Sequence, residues 1–357
     1  MIKLTVNASR KYDVVMERGA LAKADRYIGE ANSRKICIIT DANVNDLYGQ
    51  PEHALWKALA DAGFDVSKFV FAGGEDHKNM ETIAGILEFL AEQGFTRSDL
   101  LLALGGGITG DVTGFAAATY LRGIEFIQVP TSLLAVVDSS VGGKTGVNLS
   151  SGKNLAGAFW QPSLVLFDPD VLDTLSDDLK LDGIAEAIKA GIIADSEMFA
   201  LIERTGSLLG DTDLLTKLAA MAVEIKRKIV EEDERESGKR ALLNLGHTAA
   251  HAIEKCSDYA VSHGHAVAIG MAIASAAAAD KGWCDEACHK EIVSTLESIG
   301  FSLACPYSAE ELMRAALHDK KRRGDSITLV IPEAIGSCSL KKIPVEELTE
   351  FFEKGLV

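Results

Sequence analysis

A series of short, continuously apolar runs in the first half of the chain constrains the fold more than any other feature. Helical periodicity separates these runs, at residues 51–62 and 80–94. Apolar strands that alternate with helices form a mostly parallel sheet that is covered on both faces. The sequence therefore predicts an α/β domain over residues 1–170, whose strands are KICIIT (35–40), VSKFVFAGG (66–74), LLLALGGG (100–107), FIQVP (126–130) and SLVLFD (163–168).

From about residue 171 onward, helical periodicity dominates and strand-like runs become rare. Only SITLVIP (326–332) and a segment near CSLKKI (338–343) look like strands. The sequence predicts a mainly helical second domain over residues 171–357, a short boundary near Asp168–Pro169, and a ligand cleft between the two domains. The predicted helices cover residues 183–194, 196–204, 213–232, 246–257, 264–281, 286–299 and 309–318.

The chain is acidic, because 36 Lys and Arg residues oppose 52 Asp and Glu residues and give a formal charge of −16. Such a surface argues against nucleic acid or an anionic membrane as the main partner, since both would be repelled. No stretch of 18 apolar residues and no signal-peptide pattern is present in the sequence. We expect a reduced, cytoplasmic protein in which Cys284, Cys288 and His289 belong to a helix start rather than to a structural zinc site.

A glycine-rich turn directly follows the apolar run that begins at Leu100, and it opens a helix. Gly105, Gly107 and Gly110 fit the pattern G-x-G-x-x-G, in which bare backbone approaches a pyrophosphate at a helix N-terminus. The acidic residue that usually ends the next strand and binds a ribose is missing, but Asp41 offers a carboxylate at the end of an earlier strand. The turn therefore indicates a dinucleotide site, and a tight packing turn without a ligand is the alternative.

The segment 128–162 is dense in Gly, Ser, Thr and Asn, and we expect it to form a long functional loop. Lys144 and Lys153 each adjoin glycines, so an ammonium group and bare backbone amides can converge on one anion. Asp138 and Asn154 lie in the same segment. This composition favours a phosphate site over solvated surface lysines.

Four of the eight histidines fall within residues 246–265, at positions His247, His251, His263 and His265. The first two are spaced i, i+4 and share a helix face, whereas the last two are spaced i, i+2. Upstream, Glu186 and Lys189 share a face of another predicted helix. One carboxylate and two imidazoles with an open position suit a catalytic zinc, but the spacing does not decide which three groups ligate.

Basic side chains stand beside these motifs in an otherwise acidic chain. Arg122 follows the glycine-rich helix, and Lys226 lies on a long predicted helix. Arg240 precedes the histidine cluster, and Lys320 lies in the run HDKKRRG. Most charge runs are solvated faces, but the positions of these residues favour a clustered anion site.

Seven motifs spread over nearly the whole chain carry a resemblance to a known family. They are GGEDHKN (73–79), GGGITGDVTGFAAATYLRG (105–123), VPTSLLAVVDSSVGGKTGVNL (129–149), GKNLAGAFWQP (152–162), GIAEAIKAGII (183–193), DERESGKRALLNLGHTAAHAIE (233–254) and HGHAVAIGM (263–271). Together these motifs resemble the 3-dehydroquinate synthases, a family of sugar phosphate cyclases.

The resemblance implies a Rossmann-like NAD-binding domain at 1–170 and a mainly helical domain at 171–357 that binds a metal and the substrate. It implies a cytoplasmic homodimer that uses NAD and a divalent metal, zinc or cobalt. The implied reaction converts 3-deoxy-D-arabino-heptulosonate 7-phosphate, a phosphorylated sugar acid, to 3-dehydroquinate and phosphate in the shikimate route to aromatic amino acids. NAD is oxidant and then reductant in this chemistry, phosphate leaves by β-elimination, and an intramolecular aldol step closes the ring.

The resemblance also implies roles for individual residues. The metal ligands would be Glu186, His247 and His263. The NAD site would take Asp41, Glu75, Lys78, Gly106, Gly107, Asp111, Thr131 and Ser132, with Asp138, Lys144 and Lys153 at its edge. The substrate site would take Asp138, Lys144, Asn154, Lys189, Lys226, Arg240, Asn244 and His251. Arg122 and Lys320 would complete the phosphate pocket, with Arg122 coming either from the same subunit or from its partner.

One departure from the family pattern falls in the candidate metal site, since the family reads His-Gly-Glu where this chain has His263, Gly264 and His265. Whether His265 joins the ligand set stays open at this point. Two alternative functions use NAD and a metal as well. One is a sister cyclase that makes 2-deoxy-scyllo-inosose or a valiolone from another sugar phosphate, and the other is a metal-dependent polyol dehydrogenase. Asn244, His251 and Lys320 match the dehydroquinate pattern, and the lysines of GGKTG and GKN favour a phosphorylated substrate.

Overall fold

The computed structural model describes residues 1–31, 34–317, 322, 323 and 325–356. The chain divides into two units, Met1–Leu175 and Ser176–Val357. The division falls at Leu175, whereas the sequence predicts a boundary at residue 170.

Unit 1 is built on a seven-stranded sheet. The strands of unit 1 are β1 (Ile2–Asn7), β2 (Lys11–Met16), β3 (Lys35–Asp41), β4 (Asp65–Phe71), β5 (Leu100–Gly105), β6 (Glu125–Pro130), β7 (Lys144–Leu149), β8 (Gly152–Phe159) and β9 (Leu164–Phe167). The order across the seven-stranded sheet is β1-β2-β9-β6-β5-β3-β4, and neighbouring strands are parallel except that β1 pairs with β2 in an antiparallel hairpin. The mostly parallel sheet that the apolar runs predict is confirmed.

Both faces of this sheet are buried. Cys37 and Ile39 pack with the helices that carry Ile86 and Val112, while Ile38, which points to the opposite face of β3, is also fully buried. The helices of unit 1 are α1 (Ala24–Ile28), α2 (Ala42–Val44), α3 (Ala54–Asp61), α4 (Met80–Glu92) and α5 (Gly107–Thr119). The strands of the parallel sheet are apolar along their length because helices cover the sheet and both of its faces are buried.

The segment that the sequence predicts as a long loop instead contains an antiparallel hairpin, formed by β7 and β8. Gly146 pairs with Gly157, and a Cβ added to either glycine would collide with the backbone of the opposite strand. Glycines thus allow two strands to approach closely here, although their number in the sequence is typical of a loop. The N-terminal hairpin of β1 and β2 was also not anticipated.

Unit 2 is mainly helical, as predicted. Its helices are α6 (Asp177–Ala194), α7 (Ser196–Thr205), α8 (Thr212–Glu232), α9 (His247–Cys256), α10 (His263–Asp280), α11 (Glu286–Ile299), α12 (Ala309–Ala316) and α13 (Leu348–Gly355). A small sheet contains β10 (Arg322–Arg323), β11 (Ser326–Ala334) and β12 (Ser337–Pro344). None of the described helices is both long enough and apolar enough to span a lipid bilayer.

Close backbone approaches hold α6, α9 and α10 together. A Cβ added at Gly264, in the first turn of α10, would collide with the backbone of Asp182 in α6. Gly270, also in α10, packs equally tightly against Gly246, which precedes α9. These glycines let the N-terminal ends of α9 and α10 lie near the middle of α6, where Glu186 is buried.

Candidate active site

Unit 2 contains a cluster of one carboxylate and two imidazoles. Glu186 lies in α6, His247 is the first residue of α9, and His263 is the first residue of α10. The Oε1 atom of Glu186 lies 3.8 Å from Nε2 of His247 and 3.7 Å from Nε2 of His263. Three ligand-type atoms, one from each residue, lie within 4.8 Å of one another, and this is the only such group among the described residues.

Each imidazole of the cluster is oriented through its other nitrogen. Nδ1 of His247 donates to the backbone carbonyl of Leu245 at 3.1 Å, which leaves Nε2 as the acceptor. Nδ1 of His263 lies 3.5 Å from the buried carboxylate of Glu254. Burial opposes protonation of His263, but the Glu254 and Glu186 carboxylates outweigh it and raise the pKa of the imidazole. A carboxylate or carbonyl behind each histidine is the usual support of a metal ligand.

The hydrogen bonding of the Glu186 carboxylate indicates whether a cation fits this cluster. Its Oε2 atom pairs with the Lys189 ammonium group, but its Oε1 atom is buried and has no hydrogen-bond partner. A buried carboxylate oxygen without a partner is costly unless a cation satisfies it. Since one carboxylate oxygen and two imidazole nitrogens are a typical zinc donor set, these residues fit a divalent metal.

The other two clustered histidines lie outside this group. His265 turns away: its Nδ1 is 2.8 Å from Oγ of Ser262 and 3.3 Å from Oδ1 of Asp182. The His251 ring lies 5.5 Å from that of His247 and 6.4 Å from that of His263, measured between ring centroids. His251 therefore lines the cluster, whereas His265 belongs to the contact between α6 and α10.

Three cations of unit 2 that the sequence singles out are buried, namely Lys189, Lys226 and Arg240. Arg240 is only 1% exposed and follows a turn that the Asp233 carboxylate organises. That carboxylate accepts the N–H groups of Ser237 at 2.8 Å, Gly238 at 2.7 Å and Arg240 at 3.0 Å. These donors, the Arg240 N–H first among them, hold the pKa of Asp233 well below its usual range. The turn also contains Glu236, whose carboxylate accepts from the Asn244 amide at 2.7 Å.

In unit 1, candidate residues gather where the parallel strands end. Asp41 ends β3, and its carboxylate accepts the N–H of Val44 at 3.1 Å. Thr131 and Ser132 follow β6, and the N–H of Thr131 donates to the carbonyl of Gly105 at 2.9 Å. The carboxyl edge of a parallel sheet is where α/β proteins bind dinucleotides.

The glycine-rich turn between β5 and α5 combines tight packing with an open helix end. A Cβ at Gly110 would lie 2.5 Å from the side-chain oxygen of Gln128, so the glycine lets that side chain pack closely against α5. A Cβ at Gly106 would lie 3.4 Å from Oγ of Ser132, which leaves the N-terminal end of α5 less obstructed. The residues thus fit both a packing turn and a pyrophosphate cradle, and the two are compatible.

A polar network joins several other candidates of unit 1. Nζ of Lys78, which is buried, donates to Asp111 Oδ2 at 2.6 Å and to Asn154 Oδ1 at 2.7 Å. Burial raises the pKa of the Asp111 carboxyl, and the Lys78 ammonium opposes that shift. Nζ of Lys153 lies 3.8 Å from the Glu75 carboxylate. Candidates for the NAD site and for the substrate site therefore share one hydrogen-bonded group.

The remaining candidates lie at the surface or outside the described part of the chain. Lys144, at the start of β7, is exposed, and Arg122 is exposed in a turn where its φ is 67°. Asp138 lies near enough to Asp111 to contribute to its raised pKa. Lys320 lies outside the described residues.

Sequence reasoning missed three residues that organise these groups: Asn148, Asp233 and Glu254. The signal for Glu254 was available, because His247, His251 and Glu254 recur at i, i+4 and i+7 and so share one face of α9. Asp233 organises a turn by accepting backbone N–H groups, and the Asn148 side chain bridges β8 and the loop after β4; no periodicity in the sequence marks either residue.

Comparisons with known proteins agree along the whole chain. The family model described as 3-dehydroquinate synthase N-terminal matches residues 68–181, and the model described as 3-dehydroquinate synthase C-terminal matches residues 183–322. A curated relative, the 3-dehydroquinate synthase of Streptococcus suis, is 43% identical over 357 residues, which cover 99% of this chain and 100% of the relative.

Solved sugar phosphate cyclases share the architecture. A 2-deoxy-scyllo-inosose synthase, complexed with carbaglucose-6-phosphate, NAD+ and Co2+, is 25% identical with a TM-score of 0.89, over 98% of this chain and 100% of that one. The 2-epi-5-epi-valiolone synthase of Streptomyces hygroscopicus, with NAD+ and Zn2+ bound, is 27% identical with a TM-score of 0.88, over 99% of each chain. With the relative's identity over the full length and both family models matched, the chain belongs to the 3-dehydroquinate synthase family.

Proposed function

We propose that this chain converts 3-deoxy-D-arabino-heptulosonate 7-phosphate to 3-dehydroquinate and phosphate, with NAD and a divalent metal as cofactors. One observation carries the proposal: a chain that is 43% identical to a 3-dehydroquinate synthase over its full length also gathers Glu186, His247 and His263 into one buried group. The solved cyclases of similar fold bind NAD+ together with Co2+ or Zn2+, which supports the same cofactor pair here.

Glu186, His247 and His263 would hold the metal, and the carboxyl edge of the sheet in unit 1 would hold NAD. When bound, the metal supplies Lewis-acid polarisation of a substrate hydroxyl, and NAD supplies a reversible hydride acceptor. For NAD, the amides at the start of α5 would bind the pyrophosphate, and Asp41 would accept from a ribose hydroxyl. Thr131 and Ser132 border the same turn.

Basic residues of this chain would bind the anionic substrate. Lys144 in unit 1, and Lys226 and Arg240 in unit 2, supply cations that suit its phosphate and carboxylate groups. The buried Lys189 neutralises one oxygen of Glu186, and His251 adjoins the cluster with a ring nitrogen able to accept or return a proton. Asn154 and Asn244 would donate to substrate hydroxyls, and closing the ring needs orientation more than further catalytic groups.

Two further parts of the proposal concern the assembly and its place in the cell. We propose a homodimer, in which Arg122, exposed in a strained turn, serves a phosphate pocket. A cytoplasmic location agrees with the free thiols of the described cysteines. Sedimentation of the purified protein tests the dimer directly, because a monomer at working concentration would contradict it.

The decisive experiment measures inorganic phosphate and NADH together during incubation with the heptulosonate phosphate, NAD+ and Zn2+. We expect phosphate to be released while NADH absorbance stays flat, because the hydride returns to the substrate. Stoichiometric NADH would indicate a polyol dehydrogenase instead. Turnover only with a different sugar phosphate would indicate a sister cyclase.

Variants at the hairpin separate binding of the substrate from folding. A charge-assisted contact to phosphate contributes about 1.5–3 kcal/mol, so Lys144→Ala should raise the substrate KM at least about tenfold while the unfolding temperature stays unchanged. Ser150→Ala, in the exposed turn of the same hairpin, is the matched control and should leave KM unaltered. Unchanged kinetics for Lys144→Ala would show that this lysine is merely a surface residue.

A further inference from the structure

The β7–β8 hairpin has an irregular register opposite Asn148. The pair Val147–Ala156 is followed along the ladder by the pair Leu149–Gly152, so two steps along β7 match four steps along β8. β8 therefore accommodates two extra residues at this point. Such bulges re-aim side chains and are frequent beside functional sites.

The side chain of Asn148 bridges the bulge to the loop after β4. Its Oδ1 atom accepts the N–H of Asn154 at 2.9 Å, and its Nδ2 atom donates to Oε1 of Glu75 at 2.7 Å. Its own backbone N–H donates to the carbonyl of Lys78 at 2.7 Å. Asn148 thus contacts three residues that belong to the candidate sites, although the sequence analysis assigned it no role.

Asn154 needs this support because its backbone is in an unfavourable conformation. Its φ is 52°, in the left-handed region, which is uncommon outside glycine although asparagine adopts it more often than most other residues. The Asn148 side chain fixes its N–H, and Nζ of Lys78 fixes its side-chain oxygen at 2.7 Å. Strained residues that their surroundings hold in place are typical of functional sites.

We infer that Asn148 is a positioning residue whose amide group joins the substrate-side Asn154 to the cofactor-side Glu75 and Lys78. Its oxygen stabilises the bulge that positions Asn154, and its nitrogen fixes the orientation of the Glu75 carboxylate. The inference rests on the proposed function, because that proposal gives these neighbours their roles in binding NAD and substrate. Asn148 itself touches neither ligand in this assignment.

The two halves of the amide can be separated by substitution. Asn148→Asp keeps an oxygen that accepts the Asn154 N–H, but it places a second carboxylate against Glu75. Asn148→Ala removes both interactions. In a Glu75→Gln background the same Asn148→Asp change creates no like-charge contact, because the glutamine amide can donate to the introduced carboxylate, so the double variant is compared with Glu75→Gln alone.

The experiment uses the full-length protein loaded with Zn2+ and compares these variants with the wild type. Calorimetric titration measures the NAD+ dissociation constant, phosphate release measures the KM of the heptulosonate phosphate, and thermal unfolding measures stability. Ser150→Ala is the control on the same hairpin. We expect Asn148→Ala to raise both constants about tenfold, the usual effect of losing one well-placed hydrogen bond.

The pattern among the variants is what distinguishes positioning from general support of the fold. We expect Asn148→Asp to raise the NAD+ constant about tenfold with the substrate KM within about twofold of wild type, and to change the NAD+ constant by less than about twofold when it is added to Glu75→Gln. Equal loss of both constants in Asn148→Asp, with the same loss when the change is added to Glu75→Gln, would overturn the inference. So would unchanged constants in Asn148→Ala when the wild type binds NAD+. A wild type that binds no NAD+ would overturn the proposed function and this inference with it.

Discussion

The cluster of Glu186, His247 and His263 shows what a single residue position contributes in this chain. His263 is the first residue of α10 and His265 the third, so their side chains leave the helix about 200° apart. That angle sends His263 toward Glu186 and His265 toward Asp182 and Phe301. Spacing in the sequence could not decide this, because in an extended segment residues two positions apart point to the same side, and both rings could then have faced Glu186.

Metal content should follow this geometry. We expect His247→Ala and His263→Ala to lose most of their metal, because each removes one of three proposed protein ligands. His265→Ala should keep its metal, because its ring is tied to Asp182 and Ser262. Elemental analysis after dialysis measures the outcome, with the wild type as the reference. A metal-free His265→Ala beside a metal-replete His263→Ala would reverse the assignment.

Among the elements, the β7–β8 hairpin is where sequence and structure differ most. The strands of the parallel sheet were predictable because each is buried on both faces and reads as an unbroken apolar run. In β8, by contrast, exposed and half-buried residues follow one another, and the bulge interrupts the alternation that would mark a strand. β1 is also only partly buried, which explains why its strand pattern was weak.

The close contact of Gly146 and Gly157 makes the hairpin sensitive to small substitutions. A Cβ at position 157 would press on the backbone of Thr145 and Gly146, so Gly157→Ala should lower the free energy of unfolding by about 1–3 kcal/mol. Gly210→Ala is the matched control, since a Cβ there meets nothing within 4 Å. Urea unfolding of both variants checks this, and equal stability would show that the strands separate without cost.

Glu125, at the start of β6, forms ion pairs with Arg10 and Arg34. These pairs make the stability of the fold depend on pH. Burial opposes ionisation, but the hydrogen bonds from Arg10 and Arg34 outweigh it and lower the pKa of the carboxyl below its ordinary value of 4.5. A lowered folded-state pKa means that the stabilisation is present above about pH 4.5 and is lost as pH falls through the folded-state value.

Glu125→Gln should therefore be less stable than wild type at neutral pH. The carboxylate is partly exposed and screened by solvent, so we expect a difference of about 0.5–1 kcal/mol. The difference should shrink as pH falls below 4.5. Urea unfolding at several pH values measures it, with Glu88→Gln on the exposed face of α4 as the control. A gap that widens in acid would contradict the sign of the pKa shift.

For the whole molecule, the net charge is negative although several buried side chains of unit 2 are positively charged. The chain carries a formal charge of −16, yet Lys189, Lys226 and Arg240 are buried in unit 2. A net charge of this sign repels polyanions, whereas a few desolvated cations still suit one small phosphorylated molecule. Composition could predict the first property, but only the folded chain shows that these particular cations are buried.

Binding of a metal by the folded chain should raise its stability. Zn2+ at a hundred times its dissociation constant should add about 2.7 kcal/mol to the free energy of unfolding, provided that the unfolded chain binds it weakly. Thermal unfolding with Zn2+ and with a chelator measures the shift. His247→Ala should show little of it, and a full shift in that variant would place the bound metal elsewhere.

The bulge in β8 also restricts how the length of related chains can vary. Side chains of a strand alternate between its two faces, so deleting one residue from the bulge would exchange the two faces along part of β8. Deleting two would give a regular ladder in which Asn154 no longer stands in a left-handed turn. A gap of either size in an alignment of this segment would therefore mark a protein that presents these side chains differently, whereas substitutions that keep its length leave the register of the hairpin unchanged.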